Sequence, residues 1–168
     1  MNGDDLNTSN IRRLENTLQL QLQWIEAAES RITIILPLSV AMLGSLAFLF
    51  SGSNITISAI AFGFIAALML TLSVIFAGSA FFPRTDSPND SGIYFGTIAK
   101  KKLPEYRSSA VNTSLDDYTE DLIHQIHVNA SIASIKYKRF RHSIFSLAIA
   151  FVPWCVALYE NSVLVHGH

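Results

Sequence analysis

The most informative polar residues of the chain stand in its last third, where Gln125, Asn129 and Lys136 occupy offsets of 0, 4 and 11. On a helix of 3.6 residues per turn those offsets fall within about 40° of one another, and Asp121 and Arg139 flank the same side. Two amides beside two cations suit a small anionic ligand that also forms hydrogen bonds. The same stripe fits a polar contact between subunits, or a set of ordinary solvent-exposed residues, and spacing alone does not separate the three.

Other reactive chemistry is scarce. His124 and His127, at i and i+3, can share a helix face, but no third protein ligand accompanies them, and His142, His166 and His168 have no metal-ligand spacing. There is no Gly-rich phosphate loop, no His-Glu-x-x-His, no cysteine pair and no Gly-x-Ser-x-Gly elbow, so the expectation is a non-enzymatic protein with no catalytic residues and no metal. The single Cys155 reads as a small apolar residue on a helix. Tyr94 and Phe95, adjacent in a polar stretch, serve either as an anchor onto neighbouring helices or as a stacking platform for a ligand. Lys100, Lys101 and Lys102 describe a solvated patch facing anionic lipid.

The composition dictates what must carry these groups. Half of the residues are hydrophobic and 15% are charged, with a mean hydropathy of +0.34, whereas an ordinary soluble domain carries about a quarter charged residues. A length of 168 residues implies one domain, and a net charge of −1 gives no nucleic-acid signature. None of the twelve basic and thirteen acidic residues lies between Ile32 and Pro83. Residues 32–50 and 55–82, separated by the Ser51-Gly52-Ser53-Asn54 turn, are each long enough as helices to cross a bilayer core of about 30 Å. A third apolar run, Ile144 to Tyr159, is short enough to be a buried core helix as well as a span, and Trp154 and Tyr159 near its end are residues that a membrane interface attracts. Every basic residue falls outside the turn and the C-terminal tail. The positive-inside rule then puts residues 1–31 and 83–142 in the cytoplasm and the tail 160–168 outside, with 143–159 as the third span. The first span is expected to remain in the mature protein, because about thirty polar residues, several acidic, precede it.

Two amphipathic arms extend from these spans. In the first, Ile11, Leu14, Leu18, Leu22 and Ile25 form an apolar stripe opposite Gln19, Gln21, Gln23 and Glu26, with Thr8 and Ser9 as candidate caps and Pro37 as the one helix-breaking residue before Phe50. The second starts at Ser114, an N-cap followed by Asp116, Asp117 and Glu120, and runs without Gly or Pro to Val152 with Ile126, Ala130, Ala133, Tyr137, Phe140 and Ile144 as its stripe. Residues 83–114 read as loop. The spans contain no ionisable group, which disfavours an ion-coupled carrier, and carry a small-residue ridge of Ala59, Gly63, Ala67 and Thr71 suited to close helix packing within one chain or between protomers. The expected fold is all-α, with three transmembrane helices and two cytosolic helical arms continuous with spans one and three.

Four separated motifs, in order, carry a family resemblance: Trp24-Ile25-Glu26-Ala27-Ala28-Glu29, Phe81-Phe82-Pro83-Arg84, Ser91-Gly92-Ile93-Tyr94-Phe95-Gly96, and Gln125 to Ala133 followed by Lys136-Tyr137. Together they resemble the transmembrane effectors of the Pycsar antiphage systems. That resemblance implies a multi-pass protein of the bacterial inner membrane, activated by cUMP or cCMP from a partner pyrimidine cyclase and acting by membrane impairment and growth arrest. If such a nucleotide binds, Arg84, Lys136 and Arg139 are the candidates for its charge, Gln125 and Asn129 for its base, and Tyr94 or Phe95 for stacking. Assembly as a homo-oligomer in the lipid bilayer is expected, with no nucleic acid as partner. The alternative is a membrane scaffold or channel subunit whose cytosolic helices dock a protein partner.

Overall fold

A computed structural model describes residues 3–52, 55–82 and 91–166. They form five helices and, among the described residues, no strand: α1 (Gly3–Phe50), α2 (Ile57–Phe81), α3 (Phe95–Ile98), α4 (Leu103–Asn112) and α5 (Leu115–His166). α1, α2 and α5 are each long and apolar enough to cross a membrane. The apolar run at 144–159, left open between span and core helix by its length, therefore belongs to a helix capable of spanning.

The local signals explain the helix boundaries with two exceptions. At the start of α5, the Ser114 hydroxyl accepts from the Asp117 N–H at 3.1 Å and donates back to the Asp117 carboxylate at 2.6 Å. Asp116 and Asp117 place negative charge on the positive end of the helix dipole. Thr56 caps α2 in the same way, accepting from the Ala59 N–H at 3.2 Å. The first exception is α1, which begins at Gly3, so Thr8 and Ser9 lie inside it and do not cap it. The second is the expected loop over 83–114, whose described part contains α3 and α4. Pro104 sits in the first turn of α4, where its missing N–H is harmless, and Glu105 accepts from the Lys102 N–H at 3.2 Å.

The chain divides into two compact units, one of Met1–Ala27 with Pro83–Ser134 and the other of Ala28–Phe82 with Ile135–His168. The second unit is a three-helix bundle. Hydrogen bonds pair Glu29 with Lys136 and Ser45 with Trp154, so α1 and α5 run parallel there. Ser39 pairs with Ser73, and Ser58 with Glu160, so α2 runs antiparallel to both. The buried face of α2 is Ala59, Gly63, Ala66, Leu70, Ser73, Ala77 and Ala80. Its steps alternate between four and three, the 3.5-residue period of a helix that supercoils with its neighbours. A strict four-residue ridge drifts about 40° per step from such a seam. Ala59 and Gly63 are accordingly buried, Ala67 is half-buried, and Thr71 is exposed with its hydroxyl on the Ala67 carbonyl at 2.7 Å. The Phe50 ring packs directly on Gly63, where a Cβ would displace it.

The interior of this bundle is made of small, polar and medium-sized apolar groups. Met42, Leu46, Leu49, Ala66, Leu70, Ala150 and Ala157 form one cluster, and Ile32, Ala77 and Ala80 another. Ser39, Ser73 and Ser143 are fully buried at its centre. The outside is where large side chains stand, with Phe48 83% and Ile57 87% exposed. Such a surface is unfavourable in water and appropriate in lipid, where close packing and interhelical hydrogen bonds replace the hydrophobic effect. Trp154 turns inward rather than to an interface, its indole N–H donating to Ser45 Oγ at 2.9 Å, while Tyr159 is exposed.

In the first unit, the half-buried face of α1 runs Ile11, Leu14, Leu18, Gln21, Ile25. Leu22, expected on the apolar stripe, is exposed and Gln21, expected on the polar face, takes its place, because the seam again steps by three and four. Leu122 of α5 is 1% exposed, and the Tyr118 hydroxyl donates to Glu15 of α1 at 2.8 Å.

Candidate functional site

The site is organised around Ser91, which is 3% exposed and makes four hydrogen bonds. Its hydroxyl donates to the Asp121 carboxylate at 3.0 Å and accepts from the backbone N–H groups of Ile93 and Tyr94, at 3.2 and 3.0 Å, and from the Gln125 side-chain amide at 3.0 Å. The same Asp121 oxygen accepts from the Gly92 N–H at 2.8 Å. A short turn is thereby fastened to α5 by two side chains one helical turn apart. The turn is tight because the Ser91 hydroxyl accepts from the N–H groups two and three residues on, as a side chain does in a local serine turn. Directly after it, Tyr94 is the N-cap residue of α3, its ring 4.7 Å from that of Phe95 and close enough to Gly96 that a Cβ there would clash with it.

Beside this turn lies a cavity of about 530 Å³ lined by Ser91, Gly92, Ile93, Tyr106, Ser109, Ala110, Thr113, Asp117, Tyr118, Glu120, Asp121 and His124. All twelve belong to the first unit. Its volume is in the range of small-molecule sites. Among the described residues the walls combine two phenols, three hydroxyls, an imidazole and three carboxylates, with no lysine or arginine. Tyr118 holds its proton above the ordinary tyrosine value of 10.0, chiefly because burial disfavours the phenolate, then because its hydrogen bond to Glu15 and the negative charges of Glu15 and Asp121 oppose ionisation.

The structure distributes the residues proposed from sequence among different partners. Gln125 is 4% exposed and bonded to Ser91, and Asn129 donates to the carbonyl of Gln125 on its own helix at 2.8 Å. Lys136, also 4% exposed, forms an ion pair with Glu29, and Arg139 donates to the Ser79 carbonyl, both inside the three-helix bundle. The guanidinium of Arg31 lies 6.0 Å from the Tyr137 ring centre in the same bundle. The stripe is therefore not a row of exposed residues. Gln125 fastens one unit and the two cations the other, while Asn129 bonds within its own helix. Tyr94 is half-buried, Phe95 is 70% exposed, and neither lines the cavity. Arg84 lies outside the described residues. Of the apolar stripe expected on α5, Ala133 is buried, Ile126, Ala130, Tyr137 and Phe140 are half-buried, and Ile144 is exposed.

Sequence reasoning missed Tyr106, Ser109, Thr113 and Tyr118 as cavity walls. They come from α4, from Thr113 just after it and from α5, and no spacing rule connects them to Ser91. The usable signals were the Ser91-Gly92 dipeptide and Asp121, both singled out for other reasons.

Comparison with known proteins agrees with the motif order. Residues 13–160 match the family profile PycTM, described as the Pycsar effector protein domain. A curated relative, the Pycsar effector protein GmPycTM of Gulbenkiania mobilis, is 25% identical over 110 residues, covering 62% of this chain and 52% of the relative. The chain thus spans about half the length of the curated relative it matches. No solved structure matches it. A profile match that takes in most of α1, the whole of α2 to α4 and α5 as far as Glu160 shows that the chain belongs to the Pycsar effector family.

Proposed function

We propose that this protein is an antiphage defence effector of the bacterial inner membrane that responds to a cyclic pyrimidine mononucleotide, cUMP or cCMP, and impairs the membrane so that the infected cell stops growing or dies. The observation that carries this reading is the family match over residues 13–160. Two structural features support it. The bundle of α1, α2 and α5 buries small and polar groups and exposes large apolar ones, as a lipid-embedded assembly does. The other unit holds a cavity of nucleotide-compatible size, about 530 Å³.

In this reading the N-terminus and the Ser91 turn are cytosolic, and a partner pyrimidine cyclase supplies the ligand. The nucleotide occupies the cavity, Gln125 acts by holding the Ser91 wall, and Tyr94, Phe95, Asn129 and Arg84 are the adjoining groups to test. Lys136 and Arg139 act as fasteners within the bundle. Because α1 and α5 each contribute residues to both units, a ligand-driven shift of either helix reaches the spans, and protomers associate through their exposed apolar faces.

The test is dye release from liposomes holding the purified full chain on addition of cUMP, cCMP, and linear UMP and CMP as controls. Release with one or both cyclic nucleotides alone is the expected result. Silence from all four, in vesicles shown to contain oriented protein, would favour the scaffold reading, in which the cytosolic helices dock a protein partner.

A further inference from the structure

We infer that copies of this chain join through a second α1–α5 contact, in which the stripe Arg13, Thr17, Leu20 and Trp24 of one copy packs along Asp116, Glu120, Ile123 and His127 of the next. All eight residues belong to the first unit, so this interface lies outside the spans and is additional to the association proposed above. On each helix the four residues step by four, three and four, which holds them to one face. That face lies about 115° round α1 and about 160° round α5 from the seams already covered. Leu20 is 52%, Trp24 53% and Ile123 51% exposed, an apolar strip in a unit whose other exposed groups are largely polar. Residues 83–90 contain no apolar side chain larger than proline with which to cover it.

Charge and height identify the occupant as a second copy. Copies that share one membrane and one topology are related by rotation about the membrane normal, which leaves every residue at its own height. Within a chain Glu15 and Tyr118, 103 residues apart, mark one level of α1 and α5. The same separation joins Arg13 to Asp116, Leu20 to Ile123 and Trp24 to His127. Each level of one stripe therefore meets a complement in the other: a guanidinium beside the carboxylates of Asp116 and Glu120, leucine on isoleucine, and an indole on an imidazole. Contact of α1 with α1 would set Arg13 against Arg13, and contact of α5 with α5 would set Asp116 and Glu120 against themselves. The interface is heterologous for that reason, and it repeats from copy to copy around a ring or along a row.

The test is disulfide cross-linking in isolated membranes from cells that co-express two full chains of different tag length, both Cys155→Ala, one with Leu20→Cys and the other with Ile123→Cys. It is run without nucleotide and with cUMP or cCMP added. Each chain then has one cysteine, so a disulfide can join only two copies. The expected result is a mixed band about tenfold stronger than that from Gln19→Cys with Ile123→Cys, where the first cysteine stands about a third of a turn away on α1. Trp24→Cys with His127→Cys, at the same register, is expected to behave alike. Arg13→Glu on the first chain should weaken the mixed band and Asp116→Lys on the second should restore it. Homodimers of either chain stronger than the mixed band, a mixed band no stronger than the control in all three conditions, or one that Arg13→Glu leaves unchanged would overturn the inference. The band reports contact and not permeation, so its absence leaves the proposed nucleotide response standing, and silence in the dye-release test leaves this interface standing.

Discussion

The two units of the chain bury their helices along the same kind of seam, and both mix apolar and polar groups in it, but they differ in what they turn outward. In the three-helix bundle three fully buried serines share the interior with clusters of leucine, methionine, isoleucine and alanine, and the surface carries phenylalanine and isoleucine, as at Phe48 and Ile57. In the other unit Leu122 is in the centre, and the exposed face of α1 carries Gln19, Gln23 and Glu26. Both α1 seams step by three and four residues, through Leu14, Leu18, Gln21 and Ile25 in one unit and through Ser39, Met42, Leu46 and Leu49 in the other. Periodicity therefore says where a helix is covered. Polarity relative to that seam says which solvent surrounds it.

This contrast can be broken at either end. The largest effect is expected from Lys136→Glu, which puts a carboxylate at a position 4% exposed and against Glu29, at a cost of about 3–5 kcal/mol. Detergent-solubilised variant protein should fail to accumulate or unfold far below the wild type, and an unaltered unfolding temperature would refute the pairing of buried Lys136 with the half-exposed Glu29. Leu122→Ala, which opens a cavity in the other unit, should cost about 2–5 kcal/mol. Hydrogen exchange should then quicken across residues 11–25 and 91–98 and stay unchanged across 59–80. Equal acceleration in all three would mean that the two units open as one.

Ser73→Ala is expected to have a smaller effect. It removes the bonds to Ser39 and Ser143, at 3.0 and 3.1 Å, and interhelical bonds of this kind contribute about 0.6–1.7 kcal/mol. A loss above that range would show that the hydroxyls hold more than the bonds seen. The smallest effect belongs to Tyr118→Phe, which loses the bond to Glu15 and about 0.5–1 kcal/mol. Here the pH dependence is diagnostic. The folded chain keeps the phenol proton to higher pH than the unfolded chain, so this contribution is complete below the ordinary value of 10.0 and is lost as pH rises through the raised folded value. Unfolding temperatures of wild type and Tyr118→Phe measured between pH 8 and pH 11 should converge at the alkaline end.

The helices were legible in the sequence because charge is absent from 32 to 83 and because α5 opens on a Ser114 cap. Leu22 was misplaced because hydrophobicity was taken as a sign of burial, whereas the 3.5-residue seam passes through Gln21. Gln125 and Lys136 were correctly placed on one stripe, yet their burial was hidden, since a polar side chain shows its partner only when another segment arrives. For Gln125 that partner is Ser91, and for Lys136 it is Glu29. The cavity escaped entirely, because its walls are set by the path from α4 into α5 rather than by any repeat.

The serine cluster also sets the vertical position of α2. Ser73 meets Ser39 on one side and both the hydroxyl and the carbonyl of Ser143 on the other. Sliding α2 by one helical turn, about 5.4 Å, would bring Met69 or Ala77 to that level and leave hydroxyls from two helices facing hydrocarbon. Only one height satisfies all three. The helix thus has a detent, and its axial travel past α1 and α5 proceeds by whole steps rather than by a continuous glide.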